Sequence, residues 1–135
     1  MDRVRKMFQT HPGPASDAGD EAFALVQAAA ECTHTCTTCA DACLEEDDPA
    51  AMRTCIRLNL DCAEICAVTS KLIARPGAQD QNLLRAQLDA CATACRACAD
   101  ECERHAGHME HCRICAEACR QCAEACDRMK GALVA

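Results

Sequence analysis

The sequence predicts an all-α protein, an antiparallel four-helix bundle with a cysteine-lined core. Three observations carry that prediction. Cysteines recur at steps of four and three residues, turn-forming clusters cut the chain into four long segments, and those segments repeat in pairs. "CTHTCTTCADAC" (residues 32–43) and "CATACRACADEC" (residues 91–102) both space their cysteines four, three and four apart. At about 100° per residue, such steps return successive side chains to one side of a helix. No segment alternates as a half-buried strand would.

The elements follow in order. Residues 1–15 are polar and rich in Pro and Gly, and read as an N-terminal extension to a bundle domain spanning residues 16–135. Ser16 or Asp17 can cap a first helix that runs to about Leu44. "EEDDP" ends it and offers Asp47 or Asp48 as the next cap, with Pro49 at a tolerated first position. The second helix stops near "ARPG". Asp80 caps a third that continues to about His105, where Gly107 breaks the pattern. A fourth runs from about His108 to Lys130, and Gly131 suits a C-terminal stop.

The pairing is an internal repeat. Cys32, Cys36, Cys39 and Cys43 map onto Cys91, Cys95, Cys98 and Cys102 at an offset of 59, and Cys55, Cys62 and Cys66 map onto Cys115, Cys122 and Cys126 at an offset of 60. Two such hairpins cannot cover their apolar faces alone, so they associate.

Composition narrows the function. The 135 residues include 16 Cys but only 2 Phe and no Tyr or Trp, so the side chains that usually fill a core are nearly missing. A formal charge of −7 without a basic run excludes nucleic acid as a partner and disfavours anionic membrane. "MDRVRKMFQTHPGP" holds no apolar stretch of signal-peptide length, so a cytoplasmic location with reduced thiols is expected.

All sixteen cysteines, completed by Cys112 and Cys119, fall on inward stripes. Buried Cys can serve as a small hydrophobe, but Ala or Val would fill that space without oxidation risk. Neighbours one helical turn apart hold their Cβ atoms about 5–6 Å apart, too far for the ~3.5–4.5 Å of a disulfide. Two thiolates on opposite sides of one ion need sulfurs about 4–5 Å apart, which the same neighbours reach with small rotamer changes. Zinc prefers closed tetrahedra and iron–sulfur clusters need four cysteines wrapping one object, whereas monovalent copper tolerates two or three soft ligands. The empty core must keep most thiols protonated, because sixteen buried thiolates would repel one another. Exchange of one proton for one Cu(I) leaves the core charge unchanged, so loading of many ions, on the order of one per cysteine, is expected.

The predicted bundle has two unlike ends. Leu25, Leu72, Ile73, Leu84, Leu88 and Met129 extend the stripes at one end as an apolar plug. At the other, His105 and His108 continue the inward stripe, His111 lies nearer its edge, and Met52 takes the repeat position of Cys112; these four are candidate ligands of a copper entrance. Asn59 replaces the cysteine that the repeat would place opposite Cys119, and Asp61 beside it could line the mouth. His34 projects away from its stripe and reads as a surface residue, and His11 receives no role. Asp61 and Glu64 otherwise belong to a solvated face. Ile56, Leu60 and Ile114 point outward and favour a homo-oligomeric contact.

The paired Cys-rich segments, with "CIRLNLDCAEIC" and "HAGHMEHCRICAEAC", closely resemble the cysteine-rich four-helix-bundle copper storage proteins of the branch without an export signal, over about residues 7 to 130. The resemblance implies a non-enzymatic cytosolic store of many Cu(I) ions held mostly by thiolates, with His-containing sites toward one mouth and a tetrameric assembly. Asn59 and Met52 interrupt the cysteine repeat where this family also varies. A thiol redox enzyme would need one exposed, reactive cysteine with a resolving partner, and none stands apart from the set. A one-ion copper chaperone has no use for sixteen thiols. General sequestration of cadmium, mercury, silver or zinc stays open, since these ions also favour thiolates.

Overall fold

The structure, a computed structural model, describes residues 1–13 and 18–133. Five α-helices are present: α1 (Asp2–Gln9), α2 (Gly19–Leu44), α3 (Arg53–Ile73), α4 (Gln81–His105) and α5 (Glu110–Ala132), with a 3-10 turn at Pro49–Met52 leading into α3. The described residues form no strand. Helices α2 to α5 make the expected bundle. Each packs against two neighbours, α2 against α3 and α5 and α4 against the same two, so the repeat-related pairs α2/α4 and α3/α5 occupy diagonal corners. That arrangement lets each stripe face the axis and every other stripe.

The local signals act as expected at some ends and not at others. Asp80 caps α4, its carboxylate accepting the Leu83 backbone N–H at 2.9 Å. Asp48 precedes the 3-10 turn with Pro49 at its first position, yet offers no side-chain cap bond. The cap expected at Ser16 or Asp17, and the domain boundary beside it, lie outside the described residues. Gly131 does not stop α5: the helix passes through it to Ala132, and no described glycine adopts a positive φ. The opening segment also departs from expectation, because Asp2–Gln9 is helical. It is anchored by Phe8, whose ring meets Phe23 of α2 edge-on at 5.8 Å, and by Arg5 stacked over Phe23 at 4.2 Å.

The core divides along its length. Leu25, Ile73, Leu84, Leu88 and Met129 are buried at one end and form the plug, with Leu72 partly buried against them. Beyond the plug the interior is cysteine flanked by alanine: Ala29, Ala63, Ala92, Ala99, Ala116 and Ala123 are all buried. These short side chains let the helices approach closely enough for small sulfurs to meet. Exposed ion pairs bind the outer faces, among them Arg120 with Asp100 at 2.6 Å, Lys130 with Asp89 at 2.6 Å, and Arg96 with Asp127. Each is solvated and contributes little stability alone. The plug should therefore dominate the stability of the metal-free form. Leu88→Ala is expected to cost about 2–5 kcal/mol and Asp80→Ala about 1 kcal/mol in anaerobic urea unfolding of the reduced protein; equal effects would contradict this division.

Candidate metal centre

All sixteen cysteines are free and buried. Asn59 and Thr69 are the buried polar residues among those described. The sulfurs meet both along and between helices. Cys32 and Cys36, one turn apart, stand 3.7 Å from each other, and Cys62 and Cys66 stand 3.8 Å apart. Contacts across the bundle are as close: Cys36 to Cys119 at 3.5 Å, Cys66 to Cys95 at 3.6 Å, Cys36 to Cys115 at 3.7 Å and Cys55 to Cys102 at 3.8 Å. Ligand sets built only from neighbours on one helix, as periodicity suggests, are thus too narrow.

Groups of possible ligands, whose donor atoms all lie within 4.8 Å of one another, draw on several helices. Nearest the plug are Cys32, Cys66, Cys95 and Cys122; next come Cys32, Cys36, Cys62 and Cys119; then Cys36, Cys98, Cys115 and Cys119. Toward the opposite end lie Cys39, Cys55 and Cys102, and finally Cys39, Cys43, His111 and Cys112. Consecutive groups share cysteines or touch, so the donors form a continuous run along the bundle. Cys91 and Cys126 extend it at the plug side, Cys91 standing 3.8 Å from Cys66.

Asn59 sits inside this run. Its carbonyl oxygen accepts from the thiols of Cys115 at 2.9 Å and Cys98 at 3.1 Å, while its amide nitrogen donates to the Cys55 sulfur at 3.3 Å. Sequence pattern identified its inward position but not this role. A buried primary amide needs several partners, and the surrounding thiols supply them. Asp61, expected near the mouth, is exposed.

The candidate mouth residues separate. His111 is the one that reaches the thiols: its Nδ1 lies 3.3 Å from the Cys39 sulfur and 3.6 Å from that of Cys112, while its Nε2 faces Glu46 at 3.4 Å. His105 instead turns its Nε2 to Glu101 at 3.1 Å, and His108 is exposed. Helical phase ranked these residues in the opposite order. For His108 the difference arises because α5 begins only at Glu110, so this residue lies in the connecting turn, off the helical stripe. Met52 is buried, and His34 is exposed as expected.

Protonation follows from packing. Burial, followed by the charge of Cys55, pushes the Cys112 thiol up to about 11, and the same causes raise Cys43. Cys95 and Cys119 are raised, first by hydrogen bonds with Cys122 and Cys115 and also by burial. Cys62 and Cys115 are lowered, first by hydrogen bonds from Cys119 and Cys102.

A helical bundle plugged at one end, with a continuous interior run of free thiols, defines a cysteine-rich soft-metal-binding bundle protein. The chain belongs to the copper storage protein family, whose profile matches residues 18–131. It is similar to the copper storage protein of Streptomyces lividans loaded with 10 copper equivalents, at 43% identity and a TM-score of 0.93, covering 96% of this chain and 99% of that one. The Cu(I)-bound copper storage protein BsCsp3 matches at 34% identity and a TM-score of 0.72, covering 82% of this chain and 98% of that one. An uncharacterized cysteine-rich protein of Bacillus subtilis (strain 168) is 37% identical over 90 residues, 67% of this chain and 78% of its own.

The raised thiols make the metal-free fold sensitive to alkali. Folded Cys112 holds its proton more tightly than the ordinary 9.0, so its contribution is complete below about 9 and is lost as pH rises through about 11. The melting temperature of the reduced protein should fall across that window; a flat profile would contradict the assignment.

Proposed function

We propose that this protein is a cytosolic store that sequesters many Cu(I) ions along its thiol core, without catalysis. The observation that carries this reading is the continuous run of ligand groups, most of which share sulfurs with a neighbouring group. Sharing suits bridging thiolates and two- or three-coordinate cuprous ions. Uptake exchanges one proton for one ion, so the core remains near neutrality while it fills. Burial and multiple ligation then retain the metal. The sixteen cysteines form the main ligand set, with His111 completing the outermost group and Met52 as a thioether at the same end. His105 and His108 serve the solvated rim in this reading.

Cytosolic residence is supported by the description of a Streptomyces lividans neighbour, 46% identical, as a cytosolic copper storage protein. No described helix is long and apolar enough to cross a membrane. The thiols also need a reducing compartment to stay free.

Self-association, as a tetramer, is part of the proposal. Ile56 and Leu60 lie on the outer face of α3 with Arg53 and Arg57 toward its start and Asp61 and Glu64 further on, lining one shallow groove. Two copies of this face laid antiparallel would oppose Arg57 to Asp61 and Arg53 to Glu64 about a two-fold axis, with the apolar pair between. Ile114 cannot join that patch, because α5 stands diagonal to α3.

Anaerobic titration of reduced protein with Cu(I) against a competing chelator should reach on the order of one ion per cysteine with release of about one proton per ion. Saturation at one or two ions would end the storage reading. Cadmium or silver displacing bound Cu(I) at equal concentration would favour general soft-metal sequestration. Leu60→Glu should lower the mass measured by analytical ultracentrifugation without changing copper capacity; an unchanged mass would remove α3 from the interface.

A further inference from the structure

We infer that Glu46 is a positioning residue for bound copper, holding the His111 imidazole so that its Nδ1 faces the thiols of the outermost ligand group. The inference rests on the storage reading, in which His111 completes that group. Glu46 belongs to the "EEDDP" segment, which the sequence marks only as the end of a helix and the source of a cap. Its carboxylate meets the His111 ring, with Nε2 at 3.4 Å, and no other described residue hydrogen-bonds to it. An acidic residue just beyond the C-terminus of α2 opposes the helix dipole, and the last turn of α2 holds no basic residue to offset it. Helix stability therefore does not account for a glutamate at this place.

The main chain fixes where the carboxylate stands. Helix α2 ends at Leu44, and the Glu46 N–H then donates to the Cys43 carbonyl at 3.3 Å. Cys43 itself belongs to the outermost group, with Cys39, His111 and Cys112. The turn thus ties Glu46 to one ligand through the backbone and to another through the side chain. With 32% of the Glu46 side chain and 27% of the His111 side chain exposed, the pair stands between solvent and the buried sulfurs.

The protonation of the ring follows from its two neighbours. A carboxylate only accepts, so the neutral imidazole places its proton on Nε2 and keeps the lone pair on Nδ1. That lone pair points at the core, since Nδ1 lies 3.3 Å from the Cys39 sulfur and 3.6 Å from that of Cys112. In the metal-free protein it accepts an S–H. On loading it binds Cu(I), the thiol proton leaves to solvent, and the Nε2 proton stays with the ring. Copper remains cuprous throughout. His105 gives the contrast: its Nε2 pairs with Glu101 at 3.1 Å, but among the described residues its ring makes no hydrogen bond to a sulfur. A carboxylate stands beside both histidines, and only at His111 does the opposite nitrogen face a ligand group.

Retention of Cu(I) by the reduced full-length protein is measured anaerobically against a graded competing chelator, and the ions whose retention weakens in His111→Ala define the His111-dependent fraction. Glu46→Ala should weaken the same ions about 10-fold, the low end of the ~10–100-fold range for groups that orient a ligand, because this pair is partly solvated. Glu46→Gln, whose amide oxygen still accepts from Nε2, should keep most of the wild-type retention. Glu45→Ala, at the exposed neighbouring position, should keep all of it. Adding Glu46→Ala to His111→Ala should change nothing further. Proton–nitrogen correlation NMR of the metal-free protein should find the His111 ring proton on Nε2. Wild-type retention in Glu46→Ala, equal loss in Glu45→Ala, Glu46→Gln as weak as Glu46→Ala, further loss in the double variant, or a proton on Nδ1 would each overturn the inference. Unchanged retention in His111→Ala would overturn it too, with the storage reading intact. A wild-type capacity of one or two ions would defeat the storage reading itself.

Discussion

Sulfur packed against sulfur is the constraint on which this structure depends. Sixteen ionisable groups occupy one desolvated interior at separations near 3.5–4.0 Å. In the empty protein they are tolerable only as a hydrogen-bonded lattice of thiols in which a few sulfurs accept from protonated neighbours. The same lattice is ready for a monovalent soft cation, since replacing S–H protons with copper exchanges one positive charge for another. A divalent ion would have to remove two protons at each step, and overlapping groups rarely have two to give without disturbing the next site.

Much of this was legible in the residues. Steps of four and three located every cysteine on the inner face, and the offsets near 60 anticipated two equivalent hairpins. The plug was equally plain, because Leu25, Leu84 and Leu88 continue stripes that cysteines occupy further on. Periodicity is blind, however, to what lies across an interface. It assigned neighbours on one helix as partners, whereas Cys36 meets Cys115 and Cys119 of α5 as closely as it meets Cys32. It also carried helical phase through a turn, which misplaced His108 relative to His111. Helix α1 escaped notice because its anchoring, Phe8 and Arg5 against Phe23, is a tertiary contact within a segment dominated by polar residues.

Asn59 shows how a departure from the repeat can be informative. A cysteine there would add another thiol to a crowd of thiols, with weak donors and weak acceptors throughout. The amide brings a strong acceptor and a strong donor into the same space, and it uses both, taking S–H bonds from α4 and α5 and giving one to its own helix. It thereby fixes the mutual rotation of three helices in the metal-free state. Thr69 plays a related part at the plug boundary, where its hydroxyl donates to Ile65 and accepts from Gln87 of α4.

The near-absence of aromatic residues follows from the same geometry. A ring buries far more volume than a thiol, and one placed in the interior would hold the helices apart and break the chain of sulfur contacts. The two Phe residues are instead paired outside the thiol run, at the junction of α1 and α2. Close packing of Cys and Ala leaves the metal-free core poor in apolar area per residue, so stability must be concentrated where no metal binds. The leucine-rich plug does this and closes the thiol run at one end, while the half-buried His111 stands beside Cys39 toward the other.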